Sequence, residues 1–142
     1  MKLNIIFNDE NAVGNYQNIT LSSKSYQSDL KEIPQKSCEE IIITDAINRI
    51  EESEALEVIQ LCLPSLKIGG EIIINIVDFD TLCSASSSGQ ISHNTLNQLI
   101  STSKCVIEYN HVLAMFIQNN IKLVSSKTNN LLYTIDGKKD AS

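Results

Sequence analysis

The chain lacks any run of lysine and arginine, any long apolar stretch, and any pair of cysteines spaced as CxxC. Each absence closes a class. With 17 acidic against 11 basic residues and a formal net charge of −6, it has no electrostatic footprint for a nucleic-acid backbone or an anionic membrane. Neither is an expected partner. No apolar run approaches the roughly 20 residues that span a bilayer. Residues 3–7 are too short for the core of a secretory signal, so the expected location is cytoplasmic. Cys38, Cys62, Cys83 and Cys105 have no histidine near them at a zinc spacing. They read as unpaired thiols in a reducing compartment, Cys62 being a small core residue between Leu61 and Leu63, and no metal site is expected. There is no Ser-His-Asp order, no phosphate-binding loop and no internal repeat.

What is present describes one ordinary domain. The 142 residues, 42% hydrophobic and 20% charged, suit a single core spanning residues 1–142. Residues 3–7, 40–44 and 71–77 are apolar runs centred on isoleucines, and they read as strands. Their continuous apolar character predicts inner strands of a parallel sheet, buried on both faces. Residues 18–21 read as a further short strand. Residues 22–28 are serine-rich and read as loop, and residues 29–34 as a turn ending at Pro34. Ser53 is placed to cap a helix carrying Ala55, Leu56, Ile59, Leu63 and Leu66, closed by Gly69 and Gly70 as a C-terminal cap. A short helix is expected to start within residues 78–82. Ser92 caps a helix with Leu96, Leu99 and Ile100, and another covers residues 112–118. Strands at 121–125 and 131–135, joined at Asn129 and Asn130, form a closing antiparallel hairpin, and residues 137–142 are expected to fray. The alternation predicts an α/β fold with a mostly parallel sheet and helices on both faces.

The text then resembles a known family. Gly14-Asn15-Tyr16-Gln17-Asn18-Ile19-Thr20, Asp29-Leu30 with Ile33-Pro34, Tyr109-Asn110-His111, and above all residues 66–82, LKIGGEIIINIVDFDTL, are similar to segments of small class I S-adenosylmethionine-dependent methyltransferases. The resemblance implies a Rossmann-like methyltransferase fold over nearly the whole chain. It also implies S-adenosylmethionine as the cofactor wherever the site is functional. The departures fall on the site. The family's glycine loop after the first strand is replaced by Ile6-Phe7-Asn8-Asp9, whose side chains would intrude on the cofactor. The acid expected at the end of the second strand is Thr20, which hydrogen-bonds without charge. The family's "LEH" segment has become Ile47-Asn48-Arg49.

Asn8, Thr20, Asp29 and Asp45 are therefore the candidate cofactor-binding residues. Asp45 ends a buried strand at the side where open α/β sheets bind ligands, and it can equally cap a turn. Asp29 stands where the resemblance places an acid near the adenine, and it can equally cap a turn beside Pro34. Asp45 and His111 are the catalytic candidates, and a packing or capping role also suits His111. His93 reads as a surface residue at a helix start. Three altered parts of one site point to a degenerate methyltransferase-like domain that binds no cofactor and acts through protein contacts as a structural or assembly component. An active methyltransferase with an atypical cofactor loop is the alternative. The expected partner is another protein or a second copy, met at the closing hairpin or the outer sheet edge.

Overall fold

The computed structural model describes residues 1–77, 79–129 and 132–140, with the backbone alone at positions 79, 81, 129 and 132. Among the described residues six strands form one sheet in the order β2-β1-β3-β4-β6-β5. They are β1 (Lys2–Ile6), β2 (Gln17–Thr20), β3 (Cys38–Thr44), β4 (Leu66–Val77), β5 (Ile121–Asn129) and β6 (Leu132–Lys139). The first four are parallel to one another, while β6 runs antiparallel to both β4 and β5. The expected inner strands β1, β3 and β4 lie side by side, and the closing hairpin is there. Asn130 and Leu131 of its turn, and Asp78 before the short helix, lie outside the described residues.

Among the described residues five helices connect the strands: α1 (Tyr26–Glu32), α2 (Glu52–Cys62), α3 (Phe79–Ser87), α4 (His93–Thr102) and α5 (Tyr109–Gln118). Two expectations are corrected here. Residues 26–32 form a helix rather than a loop and turn. Tyr26 and Leu30 are spaced by one turn, and both are buried, so tertiary packing decides a segment whose serines made it look irregular. Gly69 and Gly70 do not cap α2. That helix ends at Cys62, and Pro64, which has no N–H to donate, sits in a single 3-10 turn (Leu63–Ser65) before β4 opens at Leu66. The glycines lie inside β4, in the irregularity between the Cys38–Leu66 and Glu40–Glu71 pairings. Gly69 takes φ +82°, and a Cβ on Gly70 would stand 2.8 Å from the Lys67 carbonyl oxygen and 2.9 Å from that of Cys38.

Burial is lopsided. One face of the sheet is a lattice of aliphatic side chains, Leu3, Ile5, Ile19, Ile41, Ile43, Ile72, Ile74 and Ile135, all within one core cluster. That cluster also takes in Ala55, Val58 and Ile59 of α2 and Val112 and Phe116 of α5. The opposite face carries, across successive strands, Lys2, Glu40, Glu71 and Lys138 in one row. The next row is Asn4, Ile42, Ile73 and Asp136. Strands β3 and β4 therefore alternate buried with half-exposed positions, which corrects the expectation of burial on both faces. The isoleucine runs of these strands hid a period of two. At one corner of this second face Val77 of β4 and Leu82 of α3 line a common cavity.

The β1–β2 crossover, residues 7–16, also crosses this face. It holds only one 3-10 turn, Asp9–Asn11, where parallel strands usually need a helix to connect them. Asparagines tie it down: the Asn4 side-chain amide donates to the Asn11 carbonyl at 3.2 Å and to Asn18 Oδ1 at 2.8 Å. Tyr16 donates to Glu40 Oε1 at 2.8 Å. Of the thiols, Cys38 and Cys62 are buried, Cys105 is half-buried and Cys83 exposed, and burial pushes Cys62 up to about 12.

Two substitutions test this packing. A Cβ at Gly137 would lie 2.6 Å from Phe116 Cε2 and 2.7 Å from Ile121 Cγ2, whereas one at Gly14 meets nothing within 4 Å. Gly137→Ala is expected to destabilise by about 1–3 kcal/mol through overpacking, and Gly14→Ala by almost nothing, in urea unfolding. Burial, then the hydrogen bond and charge of Glu71, push Asp136 up to about 6, against a smaller opposing pull from Lys127. The folded state thus holds a proton that the unfolded chain releases nearer pH 4, and stability falls as pH rises through this window. Asp136→Asn should raise the melting temperature above pH 6 and lose that advantage near pH 4.

Candidate functional site

From β1 the chain crosses one way to β2, and β3 lies on β1's other side. The sheet thus has its switch point between the carboxyl ends of β1 and β3, where open α/β sheets form a ligand crevice. Phe7, Asn8 and Asp9 follow β1, Thr20 ends β2, and Thr44 and Asp45 close β3. Three of the sequence candidates, Asn8, Thr20 and Asp45, therefore belong to this end of the sheet.

Each has a polar group committed to the chain. Asn8 Oδ1 accepts from the Glu10 backbone N–H at 3.1 Å, capping the 3-10 turn. Thr20 Oγ1 donates to Asp9 Oδ1 at 3.1 Å. Asp45 adopts φ +45°, a left-handed conformation that Asp tolerates better than most residues. Its backbone N–H donates to the Asn75 carbonyl at 2.9 Å. Its carboxylate is gripped from two sides, by Arg49 Nη2 at 2.7 Å and by Asn48 Nδ2 at 3.0 Å. The Arg49 guanidinium also stands 5.6 Å from the centre of the Phe7 ring, within cation–π range.

Asp29 and His111 are not drawn into this cluster. Asp29 sits in the first turn of α1 and accepts from Ser25 Oγ at 3.2 Å. Its negative charge there suits the positive end of the helix dipole. The His111 side chain is exposed on α5 and makes no hydrogen bond or ion pair among the described residues; its backbone N–H reaches the Glu108 carbonyl at 3.1 Å. His93, the first residue of α4, is exposed as well.

Sequence reasoning missed the residues that organise the site. Asn48 is 2% exposed. Besides Asp45 it bonds Ser103 Oγ at 3.2 Å, and its carbonyl accepts from the Lys104 and Cys105 backbones at 2.7 and 3.2 Å. It thereby fastens the segment after α4 to the end of β3. The spacing of Asp45 and Arg49, an acid four residues before a base, was the available signal for the ion pair. The resemblance marked Asn48 only as part of a departure from the family's segment, and nothing in the sequence announced the bonds it makes. Among the described residues, Asn48 Oδ1 and Arg49 Nε are buried without a partner. Beside this cluster lies a cavity of about 180 Å³ lined by Val77, Leu82, Leu99, Ile100, Val106 and the 103–105 segment.

The fold of this chain is that of the class I S-adenosylmethionine-dependent methyltransferases. A SAM-dependent methyltransferase from Archaeoglobus fulgidus superposes with a TM-score of 0.64 at 11% identity, over 97% of this chain and 86% of that one. An O-methyltransferase family protein from Burkholderia thailandensis gives 0.60 at 12% identity, over 91% of this chain and 37% of that one. A putative type 11 methyltransferase from Sulfolobus solfataricus gives 0.51 at 16%, over 99% and 72%. The chain thus spans most of some of these proteins and little more than a third of the Burkholderia one. No protein-family model matches the sequence, and no curated protein matches it.

The segment after β1 carries side chains where a glycine loop would carry none. Backbone N–H groups there must approach the ligand closely. Here the half-buried Phe7 side chain underlies Arg49, and the Asp9 carboxylate stands at the mouth, bonded to Thr20. Substitutions at Asp45 separate its two roles. Asp45→Gly and Asp45→Ala both lose the ion pair, but only alanine keeps a Cβ in the left-handed conformation. Alanine should be the less stable of the two by about 1 kcal/mol in chemical denaturation. Equal stabilities would mean that φ +45° costs nothing here.

Proposed function

We propose that this chain is a degenerate methyltransferase-like domain that binds no S-adenosylmethionine and serves through protein contacts, as a structural or assembly component. The observation that carries the reading is the closure of the switch-point crevice by the chain's own groups. Arg49 neutralises Asp45 at 2.7 Å and covers Phe7, while Asp9 and Thr20 satisfy each other. A cofactor would have to break these pairs, and each charged group it freed would need a new partner. The core, by contrast, is intact, so selection has kept a folded body. Its acidic charge favours a protein over nucleic acid as the partner.

One observation favours a second reading, an active methyltransferase with an atypical loop. Asn48 Oδ1 and Arg49 Nε are orphaned inside the crevice wall, and a ligand offering one donor and one acceptor would satisfy both. In that case S-adenosylmethionine is the cofactor to test, with Asp45 as the acid within reach.

Calorimetric titration separates the two. Under the first reading, S-adenosylmethionine gives no saturable heat at tens of micromolar and leaves the melting temperature unchanged. Saturable binding, or a rise of several degrees in melting temperature that is lost in Asp45→Ala, would establish the second.

A further inference from the structure

We propose that the cavity between the end of β4, α3 and α4 binds a small hydrophobic monocarboxylate, a molecule the size of one six-membered ring with a short carboxylated arm. None of the lining residues belongs to the pairs that close the crevice. The site therefore goes beyond the proposed function and stands whichever way the cofactor titration falls.

Size and lining set the body of the ligand. The cavity holds about 180 Å³, and Val77, Leu82, Leu99, Ile100 and Val106 make its wall apolar. A cavity of roughly 150 Å³ lined by such side chains takes up a benzene ring, so one ring and a short arm suit this one. The wall also reaches open solvent, because Ile100 is 48% exposed and Val106 54%. Helix α4 has no buried residue along its ten positions. Its apolar stripe, Leu96, Leu99 and Ile100, is at best half-buried. A ligand in the cavity supplies the contacts that Leu99 and Ile100 lack, and each such contact adds dispersion energy.

The polar groups of the wall set the charge. The backbone N–H groups of Ser103, Lys104 and Cys105 are all used, the first by the Ile100 carbonyl at 3.3 Å, the others by the Asn48 carbonyl at 2.7 and 3.2 Å. Ser103 Oγ donates to the Leu99 carbonyl at 2.8 Å and accepts from Asn48 at 3.2 Å. The Cys105 thiol reaches the Ile47 carbonyl at 3.4 Å. This segment thus offers no free N–H to hold the main chain of an extended peptide, which depends on such bonds. What it offers is the Lys104 ammonium, exposed at the cavity and in no ion pair among the described residues. A single carboxylate meets that cation beside an apolar wall, where pairing is stronger than in open water. A second charged group on the ligand would have to lose its water against Leu82 and Val77.

Calorimetric titration of the whole chain with 3-phenylpropanoate tests this. Saturable binding is expected at about 1 mM or tighter, the range open to so small a ligand. Neutral 3-phenylpropanamide should bind about fivefold more weakly, as the loss of one partly shielded ion pair predicts. Lys104→Met should erase that preference and Lys104→Arg should keep it, each variant being shown folded by its melting curve. Acetate, which has the charge without the ring, should not bind. Iodoacetamide locates the ligand: saturating 3-phenylpropanoate should slow alkylation of Cys105, which lines the cavity, and leave the exposed Cys83 unchanged. No saturation at about 10 mM, well beyond the range expected for this size, overturns the proposal. So does equal affinity for acid and amide, a preference that survives Lys104→Met, or unslowed alkylation of Cys105. Each of those failures leaves the S-adenosylmethionine titration as it stands, so the two readings fail separately.

Discussion

Everything in this molecule hangs on the one-sided aliphatic lattice of its sheet. Leu3, Ile5, Ile41, Ile43, Ile72 and Ile74 are all fully buried, and each such side chain contributes roughly 1.5–3 kcal/mol. This lattice fixes the register of β1, β3 and β4, since a slip of one residue would exchange Ile43 for Thr44 and Ile74 for Asn75 against α2 and α5. With register fixed, the carboxyl ends of the strands are fixed too, and the crevice residues Asp9, Thr20 and Asp45 fall where they do. The second face follows from the same constraint. Once the core is complete on one side, the other is free to carry asparagines, threonines and acids.

The crevice shows how a site can close without a change of fold. The sequence puts a base four residues after Asp45, and the short turn between them (Ile47–Arg49) brings the guanidinium back over the strand end. The same turn buries Asn48 and ties the end of α4 to β3. A single short segment thus neutralises the acid, shields an aromatic ring and anchors a helix.

The inner strands and the closing hairpin were legible because isoleucine runs and a terminal hairpin leave strong local signals. What the runs concealed was alternation, since Ile42 and Ile73 look like their buried neighbours although they face the other way. Helix α1 was missed because its two buried residues, Tyr26 and Leu30, are set among serines whose local bonding mimics a loop. The end of α2 was misread because Leu66 continues its apolar spacing. Pro64 was the better guide, and the glycines beyond it serve a strand irregularity instead of a cap. At the site, the position of Asp45 was readable from the strand before it. Its engagement with Asn48 and Arg49 was not, because hydrogen bonds of that kind depend on a backbone turn that no periodicity encodes. Asp29 and His111 drew attention through resemblance alone, and their surroundings give them local and solvent-facing roles.

The thiols carry a consequence of their own. Cys62 is sealed in the core at the end of α2, and burial holds its proton well beyond ordinary working pH, while Cys83 lies in the open on α3. Nucleophilic attack needs both the thiolate and access. Alkylating reagents should thus meet Cys83 at once and Cys62 only during excursions that open the core. The chain contains its own stopwatch: the lag between the two labelling events measures how often the native body breathes, with no engineered probe.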